Sequence, residues 1–345
     1  MINELFLQDL GEKRILSEIV LPLINPQGNR MLAGDDCAVI QCGANQFLCF
    51  STDRVPSDLI SFKLGIIDYY GLGYYLAVLN ISDIAASGAT PAGLLLNFAF
   101  PGNFSIVDFK NIFKGVQKAC MDYKCEILGG DLSNSLEINL VATSTGICNN
   151  HQPLYRTGCK IGDTVYCSDF IGLTPTAFLY FLTAKPKGLL LSEKEEELLK
   201  DQFRNPKARI SLSNLLVSVN EKNTVTCMDN TDGIFQSLFE LCQLNDVGMV
   251  IDSNKLPIHE VSYKVSKMLN MDIYDLIFAA GADFQLIGTI DSDTSITMKN
   301  NLKNENYTEI GIVTDNNQSH NVYLAISGEQ RKLNVPGWNY YTKTE

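Results

Sequence analysis

The sequence predicts a protein of the mixed α/β (α+β) class with two domains, and three observations support this. The chain has 345 residues, which is enough to bury a large core and usually enough for two domains. Stretches typical of β-strands alternate with stretches typical of α-helices. A polar, glycine-containing connector, HQPLYRTGCKIGD at 151–163, separates two such alternating units. We therefore expect an N-terminal domain at 1–150 that is organised around a sheet, and a C-terminal α/β domain at 151–345.

The N-terminal unit begins with a helix predicted at 15–24, which the turn NPQGN ends. GDDCAVI and QFLCFSTD then form a hairpin-like pair of strands, and the second of them ends at Asp53. A long apolar helix over 69–87 places Asn80 and Asp83 three residues apart, on one face. The remaining elements are the apolar strand GLLLNFAF, a helix over 106–123, and strands in CEILGGD and LEINLVATSTG.

The C-terminal unit begins with the strand DTVYCSD and the acidic helix SEKEEELLKDQF, whose EKEEE run predicts a solvated face. A helix over 208–220 follows, and the strand DFQLIGTI closes the unit. Between them, the strand TVTCM leads into MDNTDGIFQSL at 228–238, where Asp229 and Asp232 lie at a junction between strand and helix. Taken alone, acids at such a junction are typical of helix caps, because their oxygens accept hydrogen bonds from the first turn.

Composition excludes several classes of function. A net charge of −12 and the absence of a Lys/Arg run argue against nucleic-acid binding. The start of the chain, MINELFLQDLGEKR, carries acids where a signal peptide is basic, and Gly, Pro and Asn interrupt the longest uncharged stretch, so no membrane span is predicted. Ten cysteines without a C-x-x-C pair and three scattered histidines argue against a zinc site. Cysteines within apolar strands indicate reduced thiols and a cytoplasmic protein.

The most informative pattern is the repeated placement of aspartates at the ends of predicted strands, beside Gly, Ser, Thr or Asn. Strand ends of an α/β protein converge on a common edge, where ligands bind. Carboxylates gathered there would repel one another unless divalent cations neutralised them, and Mg²⁺ bridging to nucleotide phosphates suits such a site. The alternative is that each acid caps its own turn and the acids never meet. The seven aspartates are Asp35, Asp36, Asp53, Asp83, Asp131, Asp229 and Asp232.

Two further features bear on nucleotide binding. Gly129 and Gly130 would let backbone N–H groups approach phosphates closely. The chain contains neither a P-loop motif nor a kinase glycine-rich loop, which excludes those nucleotide-binding folds. Any ATP site must therefore be built on the aspartate motifs.

The motifs together resemble one enzyme family. In chain order they are GDDCA (34–38), STD (51–53), NISDIAASGATP (80–91), GGDL (129–132), RTGCKIGD (156–163), DNTDGI (229–234) and AGADFQL (280–286). Their order and spacing are similar to those of the ATP-utilising enzymes that include aminoimidazole ribonucleotide synthetase, selenophosphate synthetase and thiamine-monophosphate kinase, and most similar to the last. The resemblance spans nearly the whole chain, and NISDIAASGATP is long enough to be specific.

The resemblance implies a two-domain aminoimidazole ribonucleotide synthetase-like fold and a homodimer that pairs through its N-terminal sheets. It also implies an ATP-dependent phosphotransferase that uses several Mg²⁺ ions to transfer the γ-phosphoryl group in line, directly, to a small acceptor such as thiamine monophosphate. The implied metal ligands are Asp35, Asp36, Ser51, Thr52, Asp53, Asp83, Asp131, Asp229 and Asp232, of which Asp53, Asp83 and Asp131 are catalytic. Gly130, Asp131, Arg156 and Thr231 would contact ATP, and Asp283 and Trp338 the acceptor.

The sequence departs from the family pattern where the acceptor would bind. RVPSDLISF lacks the family's histidine, Ala282 replaces a glutamate, LSNSL lacks an arginine, and SDFIGLTPTAF replaces a glycine-rich element. Three interpretations therefore remain open. The first is a thiamine-monophosphate kinase-like phosphotransferase, with thiamine monophosphate as the leading acceptor. The others are ATP-dependent activation of an amide or amine, as in aminoimidazole ribonucleotide synthetase, and a non-catalytic ATP-binding paralogue.

Overall fold

Two β-sheets, one from each half of the chain, organise the fold. A computed structural model describes residues 6–29, 31–220, 223–301, 307–315 and 320–335, with the backbone alone at 297–301. The strands are β1 (Ala38–Gly43), β2 (Gln46–Arg54), β3 (Thr90–Phe100), β4 (Glu126–Asn134), β5 (Asn139–Asn149), β6 (Thr164–Ser168), β7 (Met228–Asn230), β8 (Gly248–Asp252), β9 (Gln285–Ile290), β10 (Tyr307–Thr314), β11 (Val322–Ile326) and β12 (Glu329–Lys332).

Helices connect and cover the strands. The α-helices are α1 (Leu7–Leu10), α2 (Glu12–Arg14), α3 (Leu21–Ile24), α4 (Ile60–Lys63), α5 (Tyr69–Ala86), α6 (Ile106–Tyr123), α7 (Leu173–Leu179), α8 (Glu193–Arg204), α9 (Ile210–Val219), α10 (Ile234–Asn245), α11 (Glu260–Leu269), α12 (Ile273–Ile277) and α13 (Ser292–Asn301). Two π-helical segments, Ile15–Val20 and Tyr180–Ala184, and two 3₁₀ segments, Lys185–Lys187 and Ser253–Lys255, adjoin them. Within the described residues, no helix combines the length and apolar character needed to cross a lipid bilayer.

The first sheet has the strand order β1-β2-β5-β3-β4, and all its pairs are antiparallel except β3 with β4. Helix α5 packs on one face, and fifteen of its eighteen residues are buried. Along β3, Leu94 and Leu96 are buried beneath the helices, whereas Leu95 and Asn97 on the opposite face are exposed. We call these the inner and outer faces of the first sheet.

The second sheet has the order β12-β11-β8-β10-β6-β9-β7 and is also mixed, because β11 pairs in parallel with β8. All six residues of β9 are buried, so this strand is covered on both faces. The buried apolar core runs through both halves of the chain. At their junction, Tyr75 of α5 packs edge-on against Phe284, with ring centroids 5.6 Å apart. Residues 150–163 connect the last strand of the first sheet to the first strand of the second sheet. The two-domain division at residue 150 stays a prediction.

Two local elements differ from the sequence prediction. The helix expected at 15–24 is π-helical over Ile15–Val20 before α3 begins. Pro22 has no N–H to donate to the carbonyl of Glu18, so a regular α-helix cannot continue through it. The strand expected at 224–228 is reduced to isolated bridges before β7. There the Thr226 hydroxyl accepts the N–H of Thr289, which takes the place of a regular ladder bond.

Helices α5 and α6 cross at two glycines. A Cβ added at Gly73 would lie 1.9 Å from the carbonyl oxygen of Ile112, and one at Gly115 would lie 2.0 Å from that of Tyr70. Because the obstructing atoms belong to the backbone, no side-chain rotation could relieve these clashes. The close contact that holds α5 against the sheet therefore requires both glycines.

We predict that Gly115→Ala lowers the free energy of unfolding by about 1–3 kcal/mol or more, the usual cost of overpacking a core. Urea denaturation measures the change. Gly102→Ala is the matched control, because its added Cβ would come no closer than 3.8 Å to the nearest atom, the Asn134 side-chain oxygen. Equal stability of the two variants would contradict the helix-crossing interpretation.

Candidate active site

Six of the seven aspartates predicted to bind metal line one cavity of about 430 Å³. They come from four places in the fold: the loop before β1, the end of β2, helix α5, and the segment from β7 to α10. The six are Asp35, Asp36, Asp53, Asp83, Asp229 and Asp232, and Ser51, Arg156 and Thr231 line the same cavity. The structure therefore brings these predicted residues together, whereas independent caps would leave them apart.

Asn80 fixes the relative position of β2 and α5. Its side-chain oxygen accepts the N–H of Asp53 at 3.1 Å, and its side-chain nitrogen donates to the carbonyl of Leu76 at 2.9 Å. Asn80 is fully buried, so these bonds are shielded from water. One turn further along α5, Asp83 accepts a hydrogen bond of 2.5 Å from the hydroxyl of Ser51. The two neighbouring elements thus present Asp53 and Asp83 to the same space.

Three carboxylates form the centre of the site. One oxygen from each of Asp36, Asp83 and Asp229 lies within 4.8 Å of the others, and these residues are only 8%, 8% and 3% exposed. Asp36 Oδ2 and Asp229 Oδ2 are buried without a hydrogen-bond partner. Buried anionic oxygens without partners are costly, and a divalent cation with oxygen ligands satisfies several at once. The donor set therefore fits Mg²⁺ or a similar hard cation.

The electrostatics of the site follow from burial and like charge. Burial and the charge of Asp36 raise the pKa of Asp35 to about 7, although Arg156 opposes the shift. Burial, with further contributions from Asp232 and Asp36, raises the pKa of Asp53 to about 6. Burial also raises the pKa values of Asp83 and Asp229 well above their usual range, with neighbouring carboxylates adding to the effect. Without added positive charge, the cluster resists full ionisation near neutral pH.

Two basic side chains touch the cluster. Arg156 Nη2 lies 2.6 Å from Asp36 Oδ1, and the other arm of the guanidinium lies 3.4 Å from Glu240. The backbone N–H of Arg156 also donates to Asp35 at 2.9 Å. Lys13 Nζ lies 2.8 Å from Asp232 and 2.5 Å from Glu240. Arg156 therefore lies in the wall of the cavity, and its predicted contact with ATP phosphates stays a prediction.

The junction between β7 and α10 does not use its acids as caps. The N-cap position of α10 is Gly233, and no side chain accepts a hydrogen bond as its cap. Asn230 instead accepts the N–H of Gly233 at 3.0 Å. The capping interpretation of Asp229 and Asp232 is therefore wrong, and both carboxylates face the cavity.

Part of the cavity wall is apolar. This part is formed by Pro56, Leu59, Ile60, Tyr75, Leu79, Phe178, Ala280 and Ala282. A cavity lined by both acids and apolar side chains suits a ligand that has a charged group and an organic ring.

Asp131 and Gly130 do not reach this cavity within one chain. Asn97 of β3 pairs with Asp131 of β4 and with Val141 of β5, and Val141 pairs with Arg54 of β2. Residues paired across neighbouring strands point to the same face of a sheet. Because Asn97 is exposed on the outer face, Asp131 lies on the outer face as well. Three strand spacings separate it from β2 by about 14 Å. A Cβ at Gly130 would lie 1.8 Å from the carbonyl oxygen of Leu96, so sheet packing already requires this glycine. The predicted roles of both residues stay predictions, and a single chain does not fulfil them.

Two other predicted residues, Thr52 and Asp283, lie elsewhere. The side chain of Thr52 lies on the outer face, where its hydroxyl donates to the carbonyl of Ala142, and its predicted role as a metal ligand stays a prediction. Both oxygens of Asp283 accept backbone N–H groups, from Gly172 and Thr174, and Asp283 lines a separate cavity of about 210 Å³. Asp283 therefore anchors a loop, and acceptor contact is not supported. Trp338 lies outside the described residues.

Sequence reasoning missed several charged residues at the site. Lys13 and Glu240 pair with Asp232 and Arg156, and Glu12, Arg54 and Asp58 line the cavity. Lys13 precedes the first motif by more than twenty residues, and Glu240 lies in the middle of α10. Glu240 follows Asp232 by eight residues and Gln236 by four, and Gln236 hydrogen-bonds to it at 2.9 Å. Helical spacing from Asp232 could have indicated that Glu240 faces the same side. No sequence signal indicated Lys13.

Comparisons with known proteins agree with this geometry. Residues 34–148 match the family described as AIR synthase related protein, N-terminal domain. The chain is 30% identical over 295 residues to the thiamine-monophosphate kinase of Synechococcus elongatus, covering 83% of this chain and 84% of that protein. It is 27% identical over 331 residues to the thiamine-monophosphate kinase of Pyrococcus horikoshii, covering 94% and 95% of the two chains.

A solved structure described as AaThiL complexed with AMPPCP and TMP superposes with a TM-score of 0.79 at 23% identity, covering 98% of this chain and 99% of that one. At this identity the likeness shows the fold alone. Together with the family match, it confirms the predicted α/β class and the aminoimidazole ribonucleotide synthetase-like fold.

We predict that the contribution of Asp35 and Asp53 to the free energy of unfolding is fully present below about pH 4 and is lost as pH rises through about 6 and about 7. The pKa values of Asp35 and Asp53 are raised in the folded protein, to about 7 and about 6, so the unfolded chain releases these protons at lower pH. Millimolar Mg²⁺ should therefore raise the Tm much more at about pH 8 than at about pH 5.

Thermal unfolding with and without Mg²⁺ at the two pH values measures this difference. Asp83→Asn should reduce the Mg²⁺-dependent rise at the higher pH, because it removes one carboxylate from the central three. A Tm increase of the same size at both pH values would contradict a cation site made of these carboxylates.

Proposed function

We propose that this chain, which belongs to the thiamine-monophosphate kinase family, transfers the γ-phosphoryl group of ATP to thiamine monophosphate. The products are thiamine diphosphate and ADP. One observation carries the proposal: three buried carboxylates, two of which have an oxygen without a partner, line a cavity that is also lined by apolar side chains. Such a site gathers cations and phosphates at its carboxylates and leaves room for an organic acceptor beside its apolar side chains.

The carboxylates of the site act by holding cations in place. Asp36, Asp83 and Asp229 are the residues that would hold Mg²⁺, and Asp53 and Asp232 extend the acidic surface toward the cavity mouth. Bound Mg²⁺ would supply positive charge to the β- and γ-phosphates of ATP and to the transferring group. The hydrogen bonds of Ser51 with Asp83 and of Asn80 with Asp53 fix the position of β2 relative to α5. The positions of these groups are therefore set before substrates bind, which is what phosphoryl transfer requires.

The transfer itself is a direct in-line displacement. A phosphate oxygen of the acceptor forms a bond to the γ-phosphorus, while the bond from that phosphorus to the β,γ-bridging oxygen breaks and ADP leaves. Among the described residues that line the cavity there is no histidine or cysteine, so no protonated imidazole or thiolate takes part. The apolar side chains of Tyr75, Leu79 and Phe178, which line the cavity, would reduce the access of water to the reacting phosphates.

Family membership favours thiamine monophosphate as the acceptor, although Ala282 and RVPSDLISF depart from the family pattern. Ala282 lies in the apolar wall, where a methyl group adds contact area and no charge. The acceptor ring is therefore bound here mainly by apolar contact, and its phosphate by the cation-bearing end of the cavity.

We predict formation of thiamine diphosphate from thiamine monophosphate and Mg-ATP, measured by chromatography of the products in steady state. Asp53→Asn should lower kcat/KM by about a hundredfold or more, because it removes charge from the phosphate-binding end, while the protein stays folded. Asp122→Asn is the matched control, since Asp122 pairs with Lys118 on the surface of α6. ATP binding without thiamine diphosphate would overturn the proposal and favour a paralogue or a different acceptor.

We also propose that the protein is a homodimer that pairs through the outer face of the first sheet. This face exposes the large apolar side chains of Ile40 and Leu95 and carries Asp131, which cannot reach the cavity of its own chain. A second copy placed on this face would cover those side chains and could bring its Asp131 to the site. The proposal accounts for both the uncovered surface and the missing seventh carboxylate.

The dimer is tested by mass and by complementation. We predict a solution mass near twice the 38.2 kDa of the chain. If each site combines Asp53 of one copy with Asp131 of the other, mixing inactive Asp53→Asn and Asp131→Asn proteins under exchange should restore about a quarter of wild-type activity, because half the dimers carry one intact site. A monomeric mass, or a mixture as inactive as its components, would refute the shared site.

The proposed compartment is the cytoplasm. All ten cysteines are free thiols, and Cys49 and Cys148 remain unbonded although their sulfurs lie 3.9 Å apart. Free thiols at this density suit a reducing compartment, where ATP and Mg²⁺ are also abundant.

A further inference from the structure

The two basic residues that touch the carboxylate cluster differ in how firmly they are held. Arg156 is fixed by Asp36 and Glu240 through its guanidinium and by Asp35 through its backbone N–H. Its own carbonyl accepts a hydrogen bond from Asn245 at 2.9 Å. Arg156 is therefore held in the wall of the cavity by its guanidinium and by both of its backbone polar groups.

Lys13 is held only by its charge. It comes from the N-terminal helical segment of residues 7–24, whose helical residues are all at least partly exposed. Its ammonium group lies 2.8 Å from Asp232 and 2.5 Å from Glu240, and its side chain is 38% exposed. A lysine carries a compact charge on a flexible four-carbon stem. Lys13 can therefore change its partner without disturbing any packed element.

The position of Lys13 is that of a cation at the mouth of the cavity. Its neighbour in sequence, Glu12, lines the cavity, and Asp232 lines it as well. A divalent cation bound by Asp232 cancels much of the negative charge that attracts the ammonium group. The nucleotide phosphates that such a cation bridges bring new negative charge to the same place. The ammonium group then has a better partner within the reach of its side chain.

We propose that Lys13 is a nucleotide-binding residue, whose ammonium group leaves Asp232 for the ATP phosphates when a divalent cation occupies that carboxylate. Glu240 keeps the lysine at the mouth during the exchange, because it also pairs with Arg156. The inference rests on the proposed function only in that the nucleotide binds at this cavity. It adds a phosphate ligand from a segment that lies outside all the motifs.

The exchange has a signature that a purely structural residue would not give. Before nucleotide binds, Lys13 competes with a divalent cation for Asp232, so Lys13→Met should tighten the binding of Mn²⁺ alone, by about two- to fivefold. With nucleotide, the same variant lacks a phosphate contact, so it should bind a non-hydrolysable Mg-ATP analogue about tenfold to a hundredfold more weakly. A lysine that only stabilised the fold would move both affinities in the same direction.

Mn²⁺ affinity is measured by the electron paramagnetic resonance signal of the free ion, and analogue affinity by isothermal titration calorimetry. Lys13→Arg should retain nucleotide affinity within a few-fold, since it keeps the positive charge. Arg14→Met is the matched control, because Arg14 pairs with Glu18 in its own segment, and it should leave both affinities unchanged. Thermal unfolding of each variant checks that the fold is intact.

Wild-type nucleotide affinity in Lys13→Met, or a loss of both affinities, would overturn the inference. Its failure is distinguishable from failure of the kinase proposal, because neither binding measurement requires turnover. If the wild-type protein forms no thiamine diphosphate but Lys13→Met shows the opposed shifts, the kinase proposal falls and the role of Lys13 stands. If the protein forms thiamine diphosphate and the shifts are absent, only the role of Lys13 falls.

Discussion

The mutual repulsion of Asp36, Asp83 and Asp229 is the constraint on which the rest of the site depends. Their oxygens lie within 4.8 Å of one another in a buried setting, where charges are poorly screened. Nothing in the packing of the core requires carboxylates there, and apolar residues of similar size would cost less. The arrangement destabilises the fold unless protons or cations neutralise it. The site is therefore understood as a binding site for cations and for the phosphates that accompany them.

The surrounding structure supplies the rigidity that such a cluster needs. Asn80 joins β2 to α5 through buried hydrogen bonds, and the glycine crossing of α5 with α6 fixes the helix against the sheet. Arg156 connects the loop before β1 to α10 by way of Asp36 and Glu240. These elements come from distant parts of the sequence, so the carboxylates cannot separate to relieve their repulsion. The N-terminal segment is different, since it is held near the site by Lys13, and it is the part that can respond to ligands.

Much of this could be predicted from the sequence, and the failures have physical causes. The helix over 106–123 was predicted with the bounds it has, because its apolar spacing and its serine cap are local signals. The convergence of six aspartates was predicted because most of them lie at or near the ends of predicted strands, although Asp83 lies on helix α5. Asp131 does not join them within one chain, because it lies inside β4 on the outer face, and a strand's face depends on pairing register, which one sequence does not show. Lys13 was missed because its contact with Asp232 spans 219 residues without a motif.

The central claim is that the buried carboxylates exist to bind divalent cations. The most direct test is a crystal structure of the protein grown with Mn²⁺ and a non-hydrolysable ATP analogue, with anomalous scattering recorded to locate the metal. The account predicts anomalous peaks within about 2.2 Å of carboxylate oxygens of Asp36, Asp83 and Asp229, with phosphate oxygens completing the coordination. A well-ordered nucleotide without an anomalous peak at these three residues would contradict it.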